Sequence, residues 1–137
     1  MSEIKIVDDF LARAEVFYLA TVKGDQPKNR PFAYHYLEDG RIYFLVGTFK
    51  EVYKQILANP KVEIAAYDGD KFLRYYGTAK IVKKDNIVQK AFDELPEIRE
   101  VFEKNNLELG VFFIDNATAE IRNEMSVEKT YKFEYSN

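Results

Sequence analysis

Cysteine and tryptophan are absent from the 137-residue chain, and histidine occurs once, as His35. Without cysteine there can be no disulfide, no thiolate nucleophile and no sulfur ligand for a metal. With a single histidine, a zinc site would have to be built mostly from carboxylates. The carboxylates scatter along predicted helices and loop tips, where solvated faces account for them. The sequence has no Walker motif and no GxGxxG loop, and its strand pattern offers no nucleophile elbow for a Ser–His–Asp arrangement. A strong charge of one sign is also missing. Twenty basic and 23 acidic side chains leave a net charge of -3, which gives no electrostatic reason to expect nucleic acid or an acidic membrane as partner. No apolar run is long enough to span a bilayer, and the acidic start "MSEIKIVDDF" does not read as a signal peptide. We therefore expect a cytoplasmic protein, with residues 1–137 forming one domain.

Aromatic residues are plentiful instead: eleven Phe and ten Tyr, as strand cores favour. Ile4, Val7, Leu11 and Ala14 recur at helical spacing, so residues 3–14 read as an amphipathic helix. "VFYLATVK" (16–23), the segment 28–37 and "RIYFLV" (41–46) read as strands. "GDQP" and "EDG" separate them, and loops this short require antiparallel pairing. A helix is expected from Phe49 to about Ala58, ended by "NP", because a residue before proline avoids helical geometry. Strands follow at 61–67 and 71–82, where Gly77 suggests a bulge or a close backbone approach. Residues 84–104 read as two helices divided by Pro96, and 107–115, 117–122 and 128–135 as strands. Many short strands with small inserted helices favour a barrel or sandwich over a layered α/β fold.

Two basic residues stand out. On "PKNRPFAYHY" (27–36), period-two alternation groups Lys28, Arg30, Phe32, Tyr34 and Tyr36. Such a face suits a planar ligand with an anionic tail, or equally an exposed strand with snorkelling cations. On "VGTFKEVYKQI" (46–56), Thr48 and Glu51 have capping-box spacing, with Lys50 in the expected first turn. A cation there is mildly unfavourable unless an anion is bound at the helix N-terminus. His35 shares a strand phase with Ala33 and Leu37 and reads as a structural or surface residue.

"FYLATVKGDQPKNRPF" followed by "GRIYFLVGTFKEVYKQILANPKVEIAA" resembles the pyridoxamine 5'-phosphate oxidase-like family of FMN-binding split barrels, most nearly its short NimC/NimA-like and general-stress-protein-like members. The resemblance runs from about residue 16 to residue 82. It implies a mainly β fold with small helices, a six-stranded antiparallel split β-barrel of Greek-key character. It also implies a homodimer with FMN at the interface. Carried over by position, Arg30, Thr48 and Lys50 would hold the FMN phosphate. Pro31, Phe32 and Ala33 would run beside the flavin ring, Phe44 and Leu45 would line its pocket, and Phe72 would approach it, often from the partner subunit.

The chain departs from the family pattern at two points. Phe49 stands where the true oxidases place a second phosphate-binding arginine. "KTYKFEYSN" lacks the Arg- and His-bearing segment that holds their pyridoxal substrate. The resemblance thus implies an FMN-dependent oxidoreductase, without a catalytic side chain, passing electrons from a nicotinamide cofactor to a small acceptor such as a nitroaromatic or quinone. It does not extend to pyridoxamine phosphate oxidation. The alternatives are a flavin-binding or flavin-sensing stress protein, or a barrel that holds haem, with His35 as axial ligand, or the deazaflavin F420.

Overall fold

A computed structural model describes residues 2–135. Helix α1 (Glu3–Ala14) leads into β1 (Phe17–Lys23), β2 (Gln26–Phe32), β3 (Tyr36–Glu38) and β4 (Arg41–Gly47). Helix α2 (Glu51–Ala58) is followed by β5 (Lys61–Tyr67) and β6 (Phe72–Val82), then by α3 (Asp85–Glu94) and α4 (Pro96–Lys104). Strands β7 (Leu109–Arg122) and β8 (Val127–Phe133) complete the chain. All pairings are antiparallel, in the order β2-β1-β5-β6-β7-β4-β3, with β8 also on β7. The described strands number eight rather than six. Strands β2 and β3 lie at opposite ends of that path, so the sheet curls without closing, and this seam is the split of a split barrel. Residues 33–35 carry the chain from one lip of the seam to the other.

Three expected strands are altered. Segment 28–37 is not continuous: β2 ends at Phe32 and β3 begins at Tyr36. Conversely, 107–115 and 117–122 fuse into the single long β7. The fusion works through a bulge. The register passes from Tyr76↔Thr118 to Thr78↔Asp115, and Asn116 takes a positive φ of 47°, a conformation asparagine tolerates better than most residues. Gly77 faces this bulge. A Cβ there would lie 2.6 Å from the Asp115 carbonyl oxygen and 2.9 Å from that of Asn116. Backbone cannot yield as a flexible side chain can, so Gly77→Ala should destabilise by ~1–3 kcal/mol. Urea unfolding checks this; a variant of unchanged stability would show that the bulge can relax.

The barrel interior follows the pleat. Phe17 and Leu19 of β1, Phe44 of β4, Ile64 of β5, Leu73 and Tyr75 of β6, and Phe112 and Ile114 of β7 all point inward and are buried. Helix α1 closes one part of this core with Ile4, Val7, Phe10 and Leu11, and α2 adds Val52 and Ile56. The opposite faces of β4 and β7 are covered too. Tyr43, Val111 and Phe113 form a second cluster beneath Ile87 of α3. Asp115, fully buried, accepts from the Asn116 and Tyr135 amides and so fastens the segment after β8 to β7.

Candidate functional site

The seam opens into a cleft of about 330 Å³. One wall comes from the β2 lip: Arg30, Pro31, Phe32, Ala33 and Tyr34. The floor comes from the end of β4 and the start of α2: Leu45, Val46, Gly47, Lys50 and Val52. The far side is apolar, built by Ala91 of α3, by Leu95, and by Ile98 and Phe102 of α4. Such a volume with few polar groups falls within the range of small-molecule sites.

Arg30 defines the polar end. Its register partner is Leu19, so it leans over the inward phase of β1, where Thr21 continues the series Phe17, Leu19. Nη1 donates to the Leu19 carbonyl at 3.1 Å and to Thr21 Oγ1 at 2.7 Å. Nη2 donates to Gln55 Oε1 at 2.8 Å. Thr21 Oγ1 also donates to Gln55 Oε1. All three acceptors are neutral, and no carboxylate pairs with Arg30 among the described residues. Burial alone draws the guanidinium pKa down from its usual value, yet arginine remains a cation in proteins. A partly desolvated cation without a counter-ion is costly to keep, and an anion in the cleft would offset that cost. A guanidinium has about five N–H donors; three are engaged here, and the rest are available to such an anion.

Lys50 lies on the same cleft but is solvent-exposed. It is the N-cap of α2, in extended geometry, rather than a residue of the first turn. The expected capping box is therefore not formed: the helix begins at Glu51, and no side chain caps it. The reason is tertiary. The Thr48 amide donates to the Glu108 carbonyl at 3.0 Å, extending the β4–β7 edge, and this pulls Thr48 too far back to cap. Lysine has no acceptor with which to cap in its place.

The nine residues singled out in the sequence thus divide. Arg30, Pro31, Phe32, Ala33, Leu45 and Lys50 line the cleft together. Phe44 does not line the cleft: it is fully buried in the barrel between Phe17 and Phe112, whereas Leu45 reaches the cleft. Thr48 sits on a different surface, beside Tyr53, Glu108 and Gly110. Phe72 lies on the outward sheet face, stacked on Tyr67 with ring centroids 5.0 Å apart. His35 does not line the cleft. Its Nδ1 lies 2.7 Å from Asp8 Oδ1 of α1, and its ring meets Phe17 edge-on. Phe49 lies across Gly47, where a Cβ would meet its ring at 2.5 Å, and packs on Phe102 at 5.8 Å. It thus anchors α4 to the cleft.

Sequence reasoning missed Thr21 and Gln55, and it missed the apolar far wall. Thr21 was detectable as a polar residue in the inward phase of β1. Gln55 was detectable as a polar residue inside the apolar stripe of α2, between Val52 and Ile56. Nothing local could reveal that α3 and α4 fold back to line the cleft.

An open-seamed antiparallel barrel with a cleft lined by Arg30, Lys50 and apolar side chains defines a split barrel. Residues 5–108 match the family model for pyridoxamine 5'-phosphate oxidase, and the chain belongs to that family. Among solved structures it is similar to a NimC/NimA family protein from Clostridium acetobutylicum. That match has 26% identity and a TM-score of 0.79, over 95% of this chain and 90% of that one. A Clostridium acetobutylicum protein related to general stress protein 26 of the pyridoxinephosphate oxidase family shares the fold. There the identity is 12% and the TM-score 0.70, over 94% and 93% of the two chains. A heme binding protein from Mycobacterium smegmatis also shares it, at 14% identity and TM-score 0.68, over 96% of this chain and 58% of that one. No curated protein matches the chain by sequence.

Proposed function

We propose that the chain binds FMN, with the phosphate at the Arg30–Lys50 end of the cleft, and uses it to pass electrons from a nicotinamide cofactor to a small acceptor such as a nitroaromatic or quinone. The carrying observation is Arg30: buried in part, oriented by three neutral acceptors, and unpaired with any carboxylate among the described residues. Flavin, when bound, supplies the hydride and electron chemistry. The residues of the chain have simpler tasks. Arg30 and Lys50 neutralise phosphate charge. Thr21 and Gln55 hold the guanidinium in position. Pro31, Phe32, Ala33 and Leu45 give an apolar bed for a flat ring and keep water from it.

We further propose a homodimer. Tyr18, Tyr67 and Phe72 share the outward face of β1, β5 and β6 and are all exposed. A second copy covering them would bury aromatic surface worth ~25 cal/mol per Å². On this reading Phe72 serves the partner's cleft. The haem alternative has less support here, because its one candidate axial ligand, His35, is engaged by Asp8 outside the cleft.

Steady-state oxidation of NADH or NADPH by the FMN-loaded protein, with a panel of nitroaromatic and quinone acceptors, tests the activity. Turnover well above that of free FMN is expected. Rates equal to free FMN would leave a flavin-binding protein and remove the oxidoreductase.

A further inference from the structure

We infer that α4, together with the end of α3, forms a lid on the cleft, latched across the seam by Tyr34 and Glu94. The latch joins the two sides of the cleft. Tyr34 lies in the crossing between β2 and β3 and lines one side, while Leu95, directly after Glu94, lines the other. The Tyr34 hydroxyl is sealed from solvent and lies against the Glu94 carboxylate. Burial first, then the Glu94 charge and the hydrogen bond to it, push the Tyr34 pKa up to about 12. The phenol therefore stays protonated through the neutral range and remains a donor to the carboxylate. A second contact runs alongside. The Lys90 ammonium lies 3.4 Å from Glu94 and 5.4 Å from the centroid of the Tyr36 ring. Two residues of α3 thus meet two residues of the seam.

Beyond this latch, little fixes α4. Phe102 is its one buried residue, wedged between Phe49 and Phe92 with ring centroids 5.8 and 5.9 Å away. Its polar ties run to α3: Arg99 donates to Asp93 at 2.9 Å and to Gln89 at 3.1 Å. No side-chain hydrogen bond or ion pair joins α4 to a strand among the described residues. Leu95 and Ile98 line the cleft yet stay 40% and 42% exposed, so this wall is not packed shut against the opposite lip. A segment with few buried apolar contacts opens at low free-energy cost. Its bounds are visible. Ile87 and Ala91 hold the body of α3 in the core, Leu95 separates the two helices, and Asn106, at a φ of 55°, follows α4.

A lid also accounts for the size of the cleft. Its volume of about 330 Å³ lies at the low end of small-molecule sites, which run from roughly 300 to 1,000 Å³. A flavin nucleotide needs more room than that, and releasing the latch would supply it. The inference rests on the flavin reading only for the identity of the ligand.

The test is hydrogen–deuterium exchange of the full chain, without and with FMN. Tyr34→Phe and Glu94→Gln should each speed exchange of the amides of residues 97–104 about tenfold, with β1 and β7 unchanged. A hydroxyl that served only overall stability would instead speed exchange in the strands as well. FMN should enter and leave Tyr34→Phe several-fold faster than wild type in stopped-flow fluorescence, about equally in both directions. Unchanged exchange at 97–104 in both variants, exchange raised equally throughout the barrel, or an unchanged FMN association rate would each overturn the inference. Latch-dependent exchange in a chain that fails to bind FMN would remove the flavin reading alone.

Discussion

Truncating Phe44 to alanine should cost about 3–5 kcal/mol of folding stability, the largest effect expected of any single substitution considered. Phe44 is fully buried. Its ring lies between those of Phe17, at 5.7 Å, and Phe112, at 5.5 Å. The three come from β1, β4 and β7, so the cluster joins strands from both ends of the sheet order. Losing the central ring leaves a cavity that rigid strands cannot collapse to fill. The neighbouring Leu45 gives a useful contrast. It is half-buried on the cleft side, and Leu45→Ala should act more on ligand affinity than on unfolding. Urea denaturation of both variants separates the roles. A Phe44→Ala loss below about 1 kcal/mol would mean that the ring is not a core element.

The second large effect falls on ligand binding. Arg30→Ala should weaken FMN by ~1.5–3 kcal/mol, on the order of 10- to 150-fold, as expected for a charge-assisted contact in a partly desolvated site. The fold should survive, because Thr21 still donates to Gln55 when the guanidinium is gone. Lys50→Ala should lose less. Lys50 is exposed, and solvent and salt screen such a charge. An ordering in which Lys50 outweighs Arg30 in fluorescence titrations would place the phosphate elsewhere.

Much of the architecture could be read from local pattern. The period-two runs of β1, β4, β5 and β6 and the stripes of α1 and α2 are strong enough to locate these elements. Pro96 divides α3 from α4 as its missing N–H and ring predict. The readings that failed depended on distant partners. β2 stops at Phe32 because the next residues must cross the open seam, and alternation alone cannot register a change of sheet edge. β7 runs unbroken through Asn116 because Gly77, far away in sequence, leaves room for the bulge. The helix after Gly47 starts later than its capping signal because Thr48 is held by Glu108.

Part of the cleft lining was legible to the same degree. Arg30 and Lys50 are separated by 20 residues, yet the barrel puts both on one cleft. Phe44 is instead enclosed by Phe17 and Phe112, distant partners that no local pattern names. The supports of Arg30 were the hardest to see, since a buried threonine and a buried glutamine look like defects in apolar patterns until the cation they hold is found. Phe49 is informative for a related reason. Where a second arginine would add charge, this chain places a ring that fixes α4 over the cleft, exchanging electrostatic grip for an apolar wall.

On the proposed reading, Arg30 meets the phosphate of a bound flavin mononucleotide. The most direct test is a paired titration of wild-type protein and Arg30→Ala with FMN and with riboflavin, which has the same ring system but no phosphate. Wild type should prefer FMN on the order of tenfold or more, and Arg30→Ala should lose most of that preference while its riboflavin affinity changes little. Equal affinity of the wild type for the two flavins, or a preference that survives the loss of Arg30, would remove Arg30 from the phosphate site.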